Sequence, residues 1–106
     1  MGKFILIGVL LISIGCTKSN KPPQTPIEKG RSLYATHCTA CHSANTKVDG
    51  AVGPALFGAS EELLRRRILH GDYPAGYTPK RATHVMPAMP FLKDDIPALH
   101  AYLNSP

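Results

Sequence analysis

The sequence predicts an all-α domain of three helices joined by long loops. Apolar residues recur at helical spacing in three short stretches, and no stretch alternates well enough to read as a strand. The 106 residues also hold 10 Pro and 9 Gly, which breaks the chain into few regular elements with long connections. With 3 Phe, 4 Tyr and no Trp, the aromatic content available to a core is small. A domain of this size usually needs a staple or a cofactor to be stable.

The first helix is expected to start near Ile27 or Glu28 and to carry Leu33 and Tyr34. The second is expected from Ser60, whose hydroxyl suits an N-cap, with Glu61 and Glu62 at its positive end. Its apolar face is Leu63, Leu64 and Ile68 with Leu69 at the margin, and Gly71 stops it. The third is expected from Asp94 or Asp95, with Pro97 tolerated in the first turn and Ile96, Leu99, Tyr102 and Leu103 as its buried stripe. Segments 43–59 and 71–92 read as loops.

Ahead of this domain the chain opens with Lys3 and an apolar run from Phe4 to Ile14. A membrane-spanning helix needs roughly 20 apolar residues. A secretory core needs only about 7–15, so residues 1–15 read as an export signal. Gly15-Cys16 resembles the cleavage site of bacterial lipoproteins, although Ser13 stands where that family places Leu. The resemblance implies lipidation of the Cys16 thiol, and several acyl chains give stable anchoring at about 0.8 kcal/mol per buried methylene. Residues 16–26, with three prolines and no apolar period, read as the lipidated Cys and a tether; the domain itself is expected over 27–106. Past Gly15, the 12 Lys and Arg less Lys3, set against 7 acids, leave +4. That charge can steer an acidic partner, but it is too scattered to indicate nucleic acid.

The chemistry is carried by Cys38-Thr39-Ala40-Cys41-His42. Cys-x-x-Cys-His reads as a c-type haem attachment site. Two thiols separated by two residues reach the two vinyl groups on one porphyrin edge, and the following imidazole turns under the iron. The cysteine count agrees, with one for lipid, two for haem and none left over. A Cys38–Cys41 disulfide is the alternative in an exported protein. A thioredoxin-like site lacks its βαβ setting, and zinc lacks a second regularly spaced ligand pair, since His37, His70, His84 and His100 are scattered.

From Glu28 to Leu103 the chain resembles the class I monohaem cytochromes c, which implies the small cytochrome c fold wrapped around one haem c, covalent through Cys38 and Cys41. Gly30 and Tyr34 precede the motif as in that family, where a Gly lets the first and last helices cross against an aromatic; Leu99 and Tyr102 stand in the partner's place. Val52-Gly53-Pro54-Ala55-Leu56-Phe57-Gly58 resembles the family's Gly-Pro stretch, which implies that the Pro54 carbonyl accepts the proximal imidazole's N–H. Val85-Met86-Pro87-Ala88-Met89-Pro90 resembles the segment that supplies the sixth ligand. Met86 is favoured there, with Met89 as the alternative ligand or a packing residue, and His84 as a third candidate that would lower the potential. The resemblance implies single-electron transfer, without enzymatic activity, on the periplasmic side of a bacterial membrane. Oxidase, reductase or dehydrogenase proteins would be the partners of a monomer or a respiratory-complex subunit. The rival reading is an open iron site acting as a peroxidase or gas sensor.

Among the remaining residues, at least one of Arg65, Arg66 and Arg67 is expected in solvent, with another free to reach a haem propionate. Tyr73 and Tyr77 are expected to border the haem, and His37 and His100 to lie on the surface.

Overall fold

The computed structural model describes residues 15–18 and 20–106, so the export-signal reading of the first 14 positions falls outside the described residues. The described residues form three α-helices and no strand. α1 spans Pro26–His37, α2 spans Glu61–Arg65 and continues into a π-helical turn at Arg66–His70, and α3 spans Ile96–Leu103. None of these helices is long and apolar enough to cross a membrane.

Each helix start has a local cause. Thr25 caps α1: its hydroxyl accepts the Glu28 N–H at 3.2 Å, and the Glu28 carboxylate accepts the Thr25 N–H at 2.8 Å. Pro26 occupies the first turn, where its missing N–H costs nothing, so α1 begins one residue earlier than the apolar pattern suggests. Ser60 caps α2 through the Leu63 N–H at 3.1 Å, and Gly71 stops the π turn in the left-handed conformation at φ 68°.

Residues Pro90–Asp95 form a 3-10 turn that leads into α3, where the sequence suggested loop up to position 92. Pro97 supplies a reason. Without an N–H it cannot bond the Lys93 carbonyl, so the α-helical ladder cannot continue back through that residue. The turn buries Leu92, a core residue that lies outside the α3 stripe.

The core consists of Tyr34, Leu64, Ile68, Leu92, Ile96, Leu99 and Leu103, with Leu33, Leu56, Met86 and Met89 packed around it. α1 and α3 cross at Gly30, where a Cβ would collide with the Ala98 carbonyl oxygen and lie 2.7 Å from the Tyr102 Cβ. The Tyr34 and Tyr102 rings stack tilted beside this crossing, with centroids 5.5 Å apart. Tyr34 is 2% exposed, and its hydroxyl donates to the Ser43 carbonyl at 2.6 Å, tying α1 to the loop after the Cys-x-x-Cys-His motif. Two histidines expected on the surface are half-buried: His37 packs edge-on against Phe91, and His100 sits on the margin of α3.

Gly30→Ala is expected to force the helices apart and lower unfolding stability by ~1–3 kcal/mol, read by denaturant titration; unchanged stability would contradict the crossing. Burial, and then the nearby Cys38 and Tyr102, push the Tyr34 phenol up from 10.0 to about 12. Because the folded value lies above the unfolded one, the stability it contributes is complete below pH 10 and is lost as pH rises through 12. Melts from pH 9 upward should therefore decline less steeply in Tyr34→Phe than in the unmodified chain.

Candidate functional site

α1 ends where the motif begins. Cys38 is the C-cap residue, and its N–H bonds the Tyr34 carbonyl. A tight turn follows, in which the Cys41 and His42 N–H groups both bond the Cys38 carbonyl, at 3.2 and 2.9 Å. This turn brings Cys38, Cys41 and His42 to one cavity of about 620 Å³. The volume lies within the ~300–1,000 Å³ typical of cofactor sites.

His42 is 8% exposed and fixed on two sides. Its Nδ1–H donates to the Pro54 carbonyl at 2.7 Å, which leaves Nε2 as the lone-pair nitrogen. The ring also packs on Gly53, where a Cβ would fall within 2.8 Å of Nε2 and closer still to Nδ1. Two further bonds press this loop against the motif, from the Val52 and Gly53 N–H groups to the Cys41 carbonyl at 3.1 and 2.9 Å. Gly50 is similarly confined, since a Cβ there would meet the Cys41–His42 backbone.

The rest of the wall is mostly apolar: Leu64 and Ile68 from the second helix, Leu99 and Leu103 from α3, and both Met86 and Met89. The Met89 N–H donates to the Ile68 carbonyl at 2.7 Å, which docks the methionine segment onto the π turn. His84 is exposed and takes no part in the cavity wall, so the bis-histidine alternative lacks support from position.

Polar side chains interrupt this wall, among them Arg67, Lys80, Arg81 and Thr83. Arg67 is only 8% exposed; its Nη1 donates to the Gly71 carbonyl at 2.7 Å, and its guanidinium lies 4.3 Å from the Tyr73 ring centre. Tyr73 stacks on Tyr77, and both border the cavity as expected. Arg65 and Arg66 point outward to Glu61 and Asp72, so two of the three arginines are solvated and one faces the site. The π turn is the local device that accompanies Arg67 burial, a backbone feature often found at functional sites.

The donor set and shape fit a haem. Two thiols and an imidazole with a free Nε2 share one largely apolar chamber with two thioethers, and Arg67, Arg81, Lys80, Tyr73 and Tyr77 stand at its border. Redox-active dithiols carry depressed thiol values, whereas burial pushes Cys38 up to about 11. Among the described residues no three His, Cys, Asp or Glu side chains gather around a common point that could hold a metal ion.

Comparison with known proteins decides the family. The cytochrome c family model matches residues 27–105. The chain belongs to the cytochrome c family. A curated relative, a cytochrome c-553-like protein of Synechocystis sp., is 33% identical over 52 residues. The match covers 49% of this chain and spans about half the length of that relative, 47%. Family membership makes the chain a carrier of covalent haem c, with Cys38 and Cys41 adjacent at the attachment motif.

Sequence reasoning placed Gly53 in the Gly-Pro stretch without giving it a role of its own, and it missed Asp49 and Arg81. Gly53 acts by lacking a side chain, a signal present only in its adjacency to Pro54. Asp49 and Arg81 brace the proximal loop, with Arg81 Nη2 2.9 Å from Asp49 Oδ2, and Arg81 also borders the cavity. Nothing in the spacing of two surface charges on separate loops marks them.

Gly53→Ala is expected to drive the imidazole off the Pro54 carbonyl. Proton NMR should show loss of the hydrogen-bonded Nδ1–H resonance of His42, with a lower melting temperature. A retained resonance at unchanged stability would count against this packing.

Proposed function

We propose that this cytochrome c is a monohaem electron-transfer protein that passes single electrons, with His42 and Met86 as the axial ligands. The observation that carries the reading is His42 itself. It is buried in an apolar chamber, held by the Pro54 carbonyl with Nε2 left free, beside two cysteines and on a shared cavity with two methionines.

The residues divide the work. Cys38 and Cys41 anchor the cofactor by thioether bonds, and His42 is the proximal ligand. The Pro54 carbonyl fixes the ring orientation and raises the basicity of Nε2. Met86 is the sixth ligand; its soft neutral thioether favours the reduced metal and a high potential. Met89 is the packing residue, its backbone tied to Ile68. The bound haem supplies reversible one-electron exchange at its iron. Leu64, Ile68, Leu99 and Leu103 keep water from the chamber, and Arg67, Tyr73 and Tyr77 provide donors suited to propionates.

With His42 and Met86 both holding the bound group, the exchange would be outer-sphere, with no bond to the partner and no enzymatic turnover. The partners are redox proteins met in weak, brief encounters. The chain is exported and works on the periplasmic side of a bacterial membrane, held by lipid on Cys16. Cys16 is exposed, and so are the described residues between it and the α1 cap, 17–18 and 20–25, which supports a tether.

Protein matured in a host with a haem-attachment system is expected to keep its haem stain through denaturing electrophoresis and to titrate as one one-electron centre. Its ferric spectrum should show the long-wavelength band of a methionine–iron bond. Met86→Ala should abolish that band and Met89→Ala should retain it. Loss only in Met89→Ala overturns the ligand choice, and a wild-type protein without the band overturns the His/Met reading.

A further inference from the structure

The hydrogen bond to His42 does not end at Pro54. The Pro54 carbonyl and the Ala55 N–H belong to one planar peptide group. The carbonyl accepts His42 Nδ1–H at 2.7 Å, and the N–H donates to Asp49 Oδ1 at 2.8 Å. The second carboxylate oxygen of Asp49 meets Arg81 Nη2 at 2.9 Å. The four groups form one chain: guanidinium, carboxylate, peptide, imidazole. Lys80 Nζ donates to the Ala55 carbonyl at 3.2 Å, on the next peptide group, and so holds Ala55 without entering this chain.

We propose that Asp49 and Arg81 are positioning residues that set the strength of the His42 hydrogen bond through the Pro54–Ala55 peptide, and thereby tune the redox potential. The proposal rests on His42 being the proximal ligand. A charged acceptor on the N–H side of an amide draws the N–H proton outward and leaves more negative charge on its oxygen, because hydrogen bonds in series polarise one another. The Pro54 oxygen then accepts more strongly, His42 becomes a better electron donor through Nε2, and the oxidised metal is stabilised. Arg81 works in the opposite direction by drawing charge from Asp49.

The side chains of Asp49 and Arg81 are 58% and 39% exposed. Solvent therefore screens the direct field of Asp49, which stands off the cavity wall, but not polarisation passed through consecutive short bonds. Arg81 also borders the cavity, so Asp49→Asn and the Nδ1–H resonance are the readings that isolate the relay. An ordinary surface ion pair would carry little. This pair differs because its carboxylate is also bonded to the peptide that holds His42.

The test uses haem-loaded full chain and three variants. Asp49→Asn keeps an acceptor for the Ala55 N–H and removes the charge. Arg81→Gln frees the Asp49 charge. Asp72→Asn removes an acid whose partner, Arg66, lies outside this chain of bonds. In the reduced protein, the His42 Nδ1–H resonance should move upfield in Asp49→Asn and downfield in Arg81→Gln. The oxidation equilibrium should shift by about threefold in opposite senses, with Asp49→Asn easier to reduce; this is ~28 mV at ~59 mV per tenfold for one electron. The shifts should persist in 1 M salt, where the screening length is about 3 Å, and be absent in Asp72→Asn.

An unmoved Nδ1–H resonance, or potential shifts that vanish in salt or match Asp72→Asn, overturns the relay while leaving the ligand assignment intact. A wild-type protein whose His42 ring protons lack the shifts of a haem-bound imidazole overturns the ligand assignment and the relay with it.

Discussion

α1 and α3 meet so closely at Gly30 that no side chain fits between it and the Ala98 carbonyl. The rest of the domain takes its geometry from this crossing. It sets the position of the α1 C-terminus and hence of Cys38, which caps that helix. It turns Leu99 and Leu103 of α3 toward the chamber on which the motif opens. It seats Tyr34 beside Tyr102, and from there the Tyr34 hydroxyl reaches the Ser43 carbonyl just past His42. Both ends of the five-residue motif are thus tied to the same helix pair. In a domain with seven core residues, such backbone contact substitutes for bulk.

On this frame the two long loops divide their tasks by composition. The loop after the motif is a backbone device. Gly50, Gly53 and Pro54 bring N–H and C=O groups to Cys41 and His42 at distances that side chains would prevent. The loop after Gly71 is a side-chain device, bringing Tyr73, Tyr77, Met86 and Met89 to the cavity and anchoring itself through Arg67 and the Ile68 carbonyl. The proximal side is therefore held by short hydrogen bonds. The methionine side is held largely by packing of flexible thioethers, an arrangement that keeps His42 fixed.

What the sequence made legible follows the range of the interaction. Cap chemistry is local, so Ser60 and Gly71 could be placed from their neighbours and the helix ends fall where expected. The attachment motif is local as well, since all three of its functional groups lie within five positions. The crossing at Gly30 and the Pro54 carbonyl were legible only through family resemblance, because a glycine and a carbonyl carry no side-chain signal of their own. The 3-10 turn before α3 went unseen because Pro90 and Pro97 bracket it, and the apolar spacing alone does not distinguish 3-10 from loop. Arg67 was one of three equivalent arginines until the fold buried it in the π turn beside Gly71 and Tyr73. Asp49 and Arg81 were invisible, because their meaning arises from the fold of two loops that the sequence keeps apart.

The proximal loop also shows why a peptide group suits the task of holding His42. A side-chain carboxylate bonded directly to Nδ1–H would place a full charge beside the imidazole inside an apolar chamber, where an unpaired charge is costly. The Pro54 carbonyl offers a neutral acceptor in the same place, with its direction fixed by a backbone that Gly53 allows to lie flat against the ring. The charge stands one amide farther out, at Asp49, where solvent and Arg81 stabilise it. The amide thus passes on polarisation while the chamber is spared the desolvation of an anion. That separation makes the strength of the imidazole's hydrogen bond adjustable by surface substitution, without repacking the core.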